Sequence, residues 1–415
     1  MNTTDTARWT WLREHVPTLR QMTYLNCGFQ GPMSEPVAQA MHDWLDRELK
    51  EGPTSRPLLA ARRELATRYR EAVAKLLGAD ADEIAITDNT TDGINMVTSS
   101  LSVERGDGVV TTGIEHASGI VPSYYLRERR GADLHIVPLS SDDSPGTMLE
   151  SFGRAIDART RLVLISGVSY STGQWLPVND IVELTHRESA GGLVLIDGAQ
   201  TGGHEPLDMH ASGVDAYAIP MHKWLCGPGG LGALYVRRDR IAELEPAAVG
   251  GHAAASYDFT GGFVPERDNI QKFELTTVSG VLLAGGLACV EQYLESGPQA
   301  VWDRVRALNV AAEQRIGGIP GVTVTSPRTE GTRTGLFAFQ VEGFTDPAPL
   351  VAHLWLSANV VCRSVREAGC VRLSLAAYND ESDIEVVARA IESAQANGLH
   401  PEALASVPGA ATREP

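Results

Sequence analysis

The chain is poor in basic residues and cysteine and has no long apolar run, and each shortage excludes something. Its 35 lysines and arginines face 52 aspartates and glutamates, giving a formal charge of −17 at pH 7. Gripping a nucleic-acid backbone needs a basic footprint, so no nucleic-acid partner is expected. The acidity instead favours solubility. The five cysteines, Cys27, Cys226, Cys289, Cys362 and Cys370, are odd in number and form no Cys-x-x-Cys pair. They read as reduced thiols, neither a disulfide frame nor a zinc site, and no metal is expected. The stretch "GVLLAGGLACV" is too short and too glycine-rich to span a bilayer. "MNTTDTARWTW" lacks the basic and apolar regions of a secretory signal. The expected setting is cytoplasmic, with no membrane partner.

What is present is an ordinary globular composition, 43% hydrophobic and 21% charged over 415 residues. That suffices for one large α/β domain and a smaller one. Ser34 and Pro36 open a helix whose apolar positions Val37, Met41, Trp44, Leu45 and Leu49 recur at helical spacing. "LLAARRELATRYREAVAKLLG" repeats the pattern and stops at Gly78, a C-terminal cap. Short apolar runs follow: "EIAIT", "GVVTT", "LHIVPL", "RLVLISG", "GLVLID" and "AYAI". Bounded by Gly, Asp and Ser, they fit buried strands of a mainly parallel sheet with helical crossovers. The expected large domain runs over 20–279 and a smaller one over 280–398, with 399–415 a flexible tail. Residues 1–30 are expected on the small domain.

Open α/β sheets bind ligands beyond the carboxyl ends of their strands, so the residues there come first. "GLVLI" runs into Asp197-Gly198-Ala199-Gln200, and "AYAIP" into Met221-His222-Lys223. "VVTTGI" leads to Glu115-His116, and "EIAITDN" to Thr90-Thr91 at the start of a helix. Singly each has a bland reading: a cap, a core histidine, a solvated lysine. Together they meet three demands. A helix N-terminus with hydroxyls suits a phosphate monoester. A strand-end carboxylate suits a ring nitrogen that must stay protonated, and a lysine on the next loop suits a Schiff base. Those are the demands of pyridoxal 5′-phosphate.

"IDGAQTGGHEPLDMHASGVDAYAIPMHKWLCGPGGLGALYV" resembles the cofactor segment of the class V aminotransferases. "TDNTTDGINMV", "EHASGIVP", "STGQWLPV", "FELTTVSG" and "VRLSLAAYND" extend the resemblance in order over roughly residues 20–395. It implies fold type I: a large domain with a mainly parallel seven-stranded sheet, plus a smaller α+β C-terminal domain. Carried over by residue, Lys223 would bear the cofactor and act as acid/base at the substrate Cα. Asp197 would pair with the pyridine nitrogen, His116 would stack on the ring, and Gln200 would bond the phenolic oxygen. His222, Thr90 and Thr91 would hold the phosphate. Thr277 would reach the phosphate of a neighbouring subunit, implying a homodimer with shared active sites. Arg372 alternates with Val371 and Leu373, so it points off the apolar face and suits the α-carboxylate of an amino-acid substrate. Gly28, Gln30 and Tyr170 are assigned to the substrate side.

Departures from the family pattern shape the expected reaction. Pro220 replaces a serine that helps hold the phosphate in relatives, and Tyr170 replaces an asparagine. Only eight residues separate Arg363 from Arg372, too few for the mobile loop that carries a desulfurase thiolate, so Cys362 and Cys370 read as packing residues. "HKWLCGPGG" resembles the isopenicillin N epimerase-like branch, with its lincosamide-type enzymes acting on S-substituted cysteines. The expectation is therefore a carbon–sulfur β-lyase on an S-substituted cysteine in antibiotic metabolism. The alternatives are a decarboxylation-dependent oxidative deaminase, an aminotransferase or an epimerase, with cysteine desulfurase disfavoured. Whichever bond breaks, borohydride reduction of the yellow protein should fix a pyridoxyl group on the peptide containing Lys223. Label on any other lysine would sink the assignment.

Overall fold

The computed structural model describes residues 3–405. The sheet of the larger unit has seven strands: β1 (Ile84–Thr87), β2 (Gly108–Thr112), β3 (Asp133–Val137), β4 (Thr160–Ser166), β5 (Leu193–Asp197), β6 (Ala216–Pro220) and β7 (Gly232–Val236). Their spatial order is β1-β7-β6-β5-β4-β2-β3. Every pairing is parallel except the two made by β7, which runs antiparallel to both β1 and β6. The central strands β5, β6 and β7 are buried at every position, as expected of strands covered on both faces.

The helices follow from local chemistry. In α1 (Arg56–Leu77), Ser55 caps the first turn by accepting from Leu58 N, Pro57 sits where no N–H is needed, and Gly78 ends the helix at φ 61°. In α2 (Thr90–Ser100) the cap is Asn89, whose side chain accepts from Asp92 N at 3.0 Å. Thr90 and Thr91 are therefore the first two helical residues, not the cap. His116 caps α3 (Ala117–Arg130), and α4 (Val178–Glu188) is the crossover between β4 and β5. Along Glu35–Glu51 only Val37 and Trp44 are buried, while Leu45 and Leu49 stay exposed.

The division of the chain differs from the expected one at both ends of the larger unit and at 170–175, which belongs to the smaller unit. The larger unit holds 36–169 and 176–298, and the smaller holds 1–35, 170–175 and 299–415. Helix α5 (Gly280–Ser296), expected to open the second domain, belongs to the larger unit. The reason is a glycine face. A Cβ on Gly286 would lie 2.9 Å from the Tyr69 ring on α1 and collide with Leu231, so only glycine lets α5 seat there.

The smaller unit has an antiparallel sheet of β8 (Val322–Val324), β9 (Leu336–Val341), β10 (Arg363–Val365) and β11 (Cys370–Ser374), ordered β8-β9-β11-β10. Its core joins Phe337, Phe339, Val371 and Leu373 to Leu308 of α6 (Pro298–Arg315), Leu354 of α7 (Pro347–Ala358) and Ile391 of α8 (Glu381–Asn397). The N-terminal segment joins it: Thr23–Tyr24 pairs in parallel with Val360–Val361, and Asn26 bridges to Ser374. The expected tail begins with a short helix, Pro401–Ala405, whose Ala403 is buried; residues 406–415 lie outside the described residues. Among the described residues no helix is long and apolar enough to cross a membrane.

Gly286→Ala should lower stability. The added methyl gains about 1 kcal/mol of helix propensity, but overpacking against Tyr69 and Leu231 costs about 1–3 kcal/mol. A urea midpoint equal to or above that of the natural protein would show that the α1–α5 interface yields.

Candidate active site

Register aligns the strand ends that carry the sequence-predicted residues. Ser166 of β4 lies opposite Asp197 of β5, and Asp197 opposite Ala218 of β6. Thr87 of β1 and Pro220 of β6 both pair with Gly232 of β7. A Cβ on Gly232 would sit 2.6 Å from Ile219 O, 2.8 Å from Thr87 Oγ1 and 3.0 Å from Asn89 Cα. The segments 88–91 and 221–223 thus leave the same edge of the sheet, across a single strand. Helix α2 then crosses β6, with Gly93 against the Ala218 methyl. Pro220 takes the last position of β6, where a missing N–H is tolerated.

The loop carrying Lys223 is closed by its own backbone: Gly227 N donates to Met221 O at 2.8 Å and Cys226 N to Lys223 O at 3.0 Å. Cys226 turns the chain at φ 55°. His222 is pushed down to about 4 by burial and by the charge of Lys223, so it is neutral at neutral pH. Asp197 is buried, and Oδ1 accepts from Ala199 N at 2.9 Å. Gln200 is buried with Oε1 accepting from Trp224 Nε1 at 2.9 Å.

His116 meets Thr91 through a residue the sequence reading did not single out. Ser118 N donates to His116 Nδ1 at 3.2 Å, Ser118 Oγ lies 2.9 Å from the same nitrogen, and Thr91 Oγ1 is 2.8 Å from Ser118 Oγ. With Nδ1 an acceptor, the neutral ring carries its proton on Nε2. Ser118 thereby ties the starts of α2 and α3 together. Beneath them is Glu115, which accepts from Thr112 Oγ1 at 2.6 Å, from Ser166 N at 2.9 Å and from the Ser166 hydroxyl. Burial pushes its carboxyl up to about 7 against those hydrogen bonds, with Asp197 adding to the rise.

The residues fit a phosphorylated heterocycle. Thr90 Oγ1 and His222 Nδ1 are buried polar atoms with no hydrogen-bond partner, and buried polar groups of this kind ordinarily have one. A phosphate ester at the start of α2 would supply it. Thr277 is exposed, on the loop before α5, with φ 70°, an uncommon conformation for a β-branched residue.

In the smaller unit, Arg372 is buried, between Val371 and Leu373 of the apolar core. Its Nη1 donates to Tyr170 O at 2.6 Å, while Nε and Nη2 have no partner. Burial and neighbouring Arg363 push the guanidinium down to about 10. Arg363 lies directly opposite Arg372 on β10 and stacks 4.7 Å from the Phe29 ring. The Tyr170 hydroxyl donates to Glu367. Gly28 and Gln30 lie in the turn after Asn26; Gly28 is buried, Gln30 exposed and tied to Asn26 O at 3.1 Å. The β10–β11 connection is one tight turn, Arg366–Ala368 closed by Gly369 at φ 61°. All five cysteines are buried thiols outside any disulfide, and burial holds the Cys362 and Cys370 thiols up at about 12 and about 11.

A seven-stranded, mainly parallel sheet with this edge defines a fold-type-I enzyme of pyridoxal-phosphate type. The family model for aminotransferase class-V matches residues 35–387, and the chain belongs to that family. It is 30% identical over 400 residues, 92% of this chain and 96% of the relative, to a probable cysteine desulfurase of Methanothermobacter thermautotrophicus strain Delta H. A structure of C-DES with glycine covalently linked to its pyridoxal phosphate cofactor superposes with TM-score 0.85 at 26% identity, covering 92% of this chain and 99% of that one. A second C-DES structure, the cystine C–S lyase with its product cysteine persulfide, gives 0.84 at 26% identity and covers 91% and 99%. The cysteine desulfurase CsdA of Escherichia coli gives 0.82 at 25% identity and covers 94% and 98%.

These relatives overturn the expectation of an antibiotic-pathway lyase on S-substituted cysteines with desulfurase chemistry disfavoured. The lyase expectation rested on the "HKWLCGPGG" resemblance, and the case against a desulfurase on the short 363–372 connection. The hairpin restricts where a thiol acceptor could stand, and it does not decide which substrate bond breaks.

Glu115 gives a pH signature. Its carboxyl moves from 4.5 to about 7 on folding, so between those values the native state holds more protons than the unfolded one and stability falls as pH rises. Glu115→Gln should flatten that slope in thermal unfolding followed from about pH 4.5 to about pH 7. Parallel curves for the two proteins would show that Glu115 does not titrate there.

Proposed function

We propose that this chain is a pyridoxal-phosphate-dependent enzyme that cleaves the Cβ–sulfur bond of cysteine, the reaction class its relatives are named for. The observation that carries the reading is the shared sheet edge, where Asp197, His222 and Lys223 follow adjacent strand ends, in a chain aligned with 96% of a probable cysteine desulfurase. When bound, the cofactor supplies an electron sink for bonds broken at the substrate Cα.

The chain's own residues do the rest. Lys223 bears the cofactor and then takes or returns the proton at Cα. Asp197 keeps a proton on the ring nitrogen, because a nearby anion favours the charged form. Thr90, Thr91, neutral His222 and the start of α2 hold the phosphate. His116 offers its ring face, and Gln200 an amide donor to the phenolic oxygen. Arg372 takes the α-carboxylate with its two partnerless nitrogens, and Gly28, Gln30 and Tyr170 border the substrate. Thr277 serves a neighbouring subunit in a homodimer. Its exposure supports that assignment, as do the uncovered side chains of Leu45, Leu49, Phe259 and Phe263.

A second reading takes cystine, the disulfide of cysteine, as the substrate of the same sulfur release. It is favoured by the buried thiols and by two guanidiniums set opposite one another, a match for two carboxylates. Here the departing sulfur already carries its acceptor, so no enzyme thiol is needed.

The test supplies L-cysteine and L-cystine separately and quantifies sulfide, persulfide and the three-carbon product. Lys223→Ala should reduce turnover by roughly a hundredfold or more. Persulfide released from cystine by the natural protein and by Cys362→Ala with Cys370→Ala alike, with no sulfur released from cysteine by either, selects the second reading. Sulfur release from neither substrate rejects both.

A further inference from the structure

Trp224 follows the cofactor lysine directly, and its side chain is turned inward. An indole N–H can only donate, whereas a glutamine amide can present either end. Trp224 Nε1 donates to Gln200 Oε1 at 2.9 Å, with both residues buried. The bond therefore fixes the amide: the oxygen faces Trp224 and the NH2 lies on the far side.

Two further contacts hold the clamp rigid. The indole stacks on His204 with ring centroids 3.8 Å apart and planes 7° from parallel. His204 Nδ1 donates to the Gln200 backbone carbonyl at 2.7 Å, an assignment forced because a carbonyl only accepts. Burial holds His204 down at about 4, so it stays neutral. The clamp thus joins the loop after β5 to the loop after β6, the two that carry Asp197 and Lys223.

We propose that Trp224 is a positioning residue that acts through Gln200, locking its amide so that the NH2, never the carbonyl oxygen, is offered to the phenolic oxygen of the cofactor. This rests on the pyridoxal-phosphate reading above. With the amide reversed, two oxygens would face each other and the donor would be lost. A donor on the phenolic oxygen draws negative charge away from the neighbouring lysine–cofactor linkage, so that linkage gives up its proton at lower pH. Releasing the amide moves that transition upward.

The experiment follows the visible absorbance of the resting holoenzyme against pH, without substrate. Trp224→Phe keeps an aromatic ring on His204 and removes the N–H. Site-specific benzothienylalanine at position 224 replaces the N–H by sulfur at nearly constant shape, and serves if the phenylalanine variant does not fold. Asp197, His116 and His222 are common to all variants. The transition should rise by about one pH unit in either Trp224 replacement and in Gln200→Ala. Combining Trp224→Phe with Gln200→Ala should give no more than the single shifts, because both act at one amide. An unmoved transition, or shifts that add, would overturn the role of Trp224 and leave the cofactor reading standing. Absence of a visible band, with Lys223 unlabelled by borohydride, would instead remove the cofactor reading and this inference with it.

Discussion

A buried carboxylate at the end of a central parallel strand is the constraint on which the larger unit turns. Asp197 is flanked in register by Ser166 and Ala218 and held through Ala199 N. An anion in that position needs a cation or a proton nearby. In the function proposed above, the protonated ring nitrogen of the cofactor supplies one, and the neighbouring features fit the same group. The β6 loop carries Lys223, the start of α2 offers N–H groups and hydroxyls, and Glu115 below carries a carboxyl whose pKa burial has raised.

Much of this was legible because strand-end residues are punctuated in sequence. Buried runs stop at Asp197, at His222-Lys223 and at Glu115-His116, so their placement follows from topology once the strands are recognised. The helix ending at Gly78 was readable for the same reason, since a glycine after the last apolar position signals a left-handed cap. What was not legible depends on contacts between segments distant in sequence. Ser118 looked like one small residue in "EHASG", and only the fold brings it within reach of Thr91. Trp224 stood beside the lysine from the start, but its link to Gln200 needs two loops folded together. The start expected for the second domain at Gly280 lies within the larger unit, because the glycines of "GVLLAGGLACV" form a contact face against α1 that the sequence alone does not reveal.

The reaction was harder to read than the site. The short connection between Arg363 and Arg372 argues, in sequence alone, against desulfurase chemistry, and the hairpin is indeed tight. Yet the length of a loop speaks to the acceptor of sulfur, while bond choice at Cα and Cβ belongs to the cofactor and the groups around it. The two arginines are more informative. Like charges directly opposite on neighbouring strands repel, and burial has already moved Arg372 downward. Such a pair is suited to an anion that arrives with the substrate.

The reversed strand β7 has a consequence for how the protein is made. It lies between β1 and β6, so the loops bearing Thr90 and Lys223 become neighbours only across a strand that follows both in the chain. Synthesis proceeds from the N-terminus, and pairings of long sequence separation form slowly because loop closure precedes their reward. The edge proposed to hold the phosphate therefore cannot be assembled before Gly232–Val236 has emerged and been inserted. A nascent chain that ends short of β7 carries Lys223 without Thr90 beside it, so on the proposed assignment cofactor loading would be a late event that reports a finished sheet.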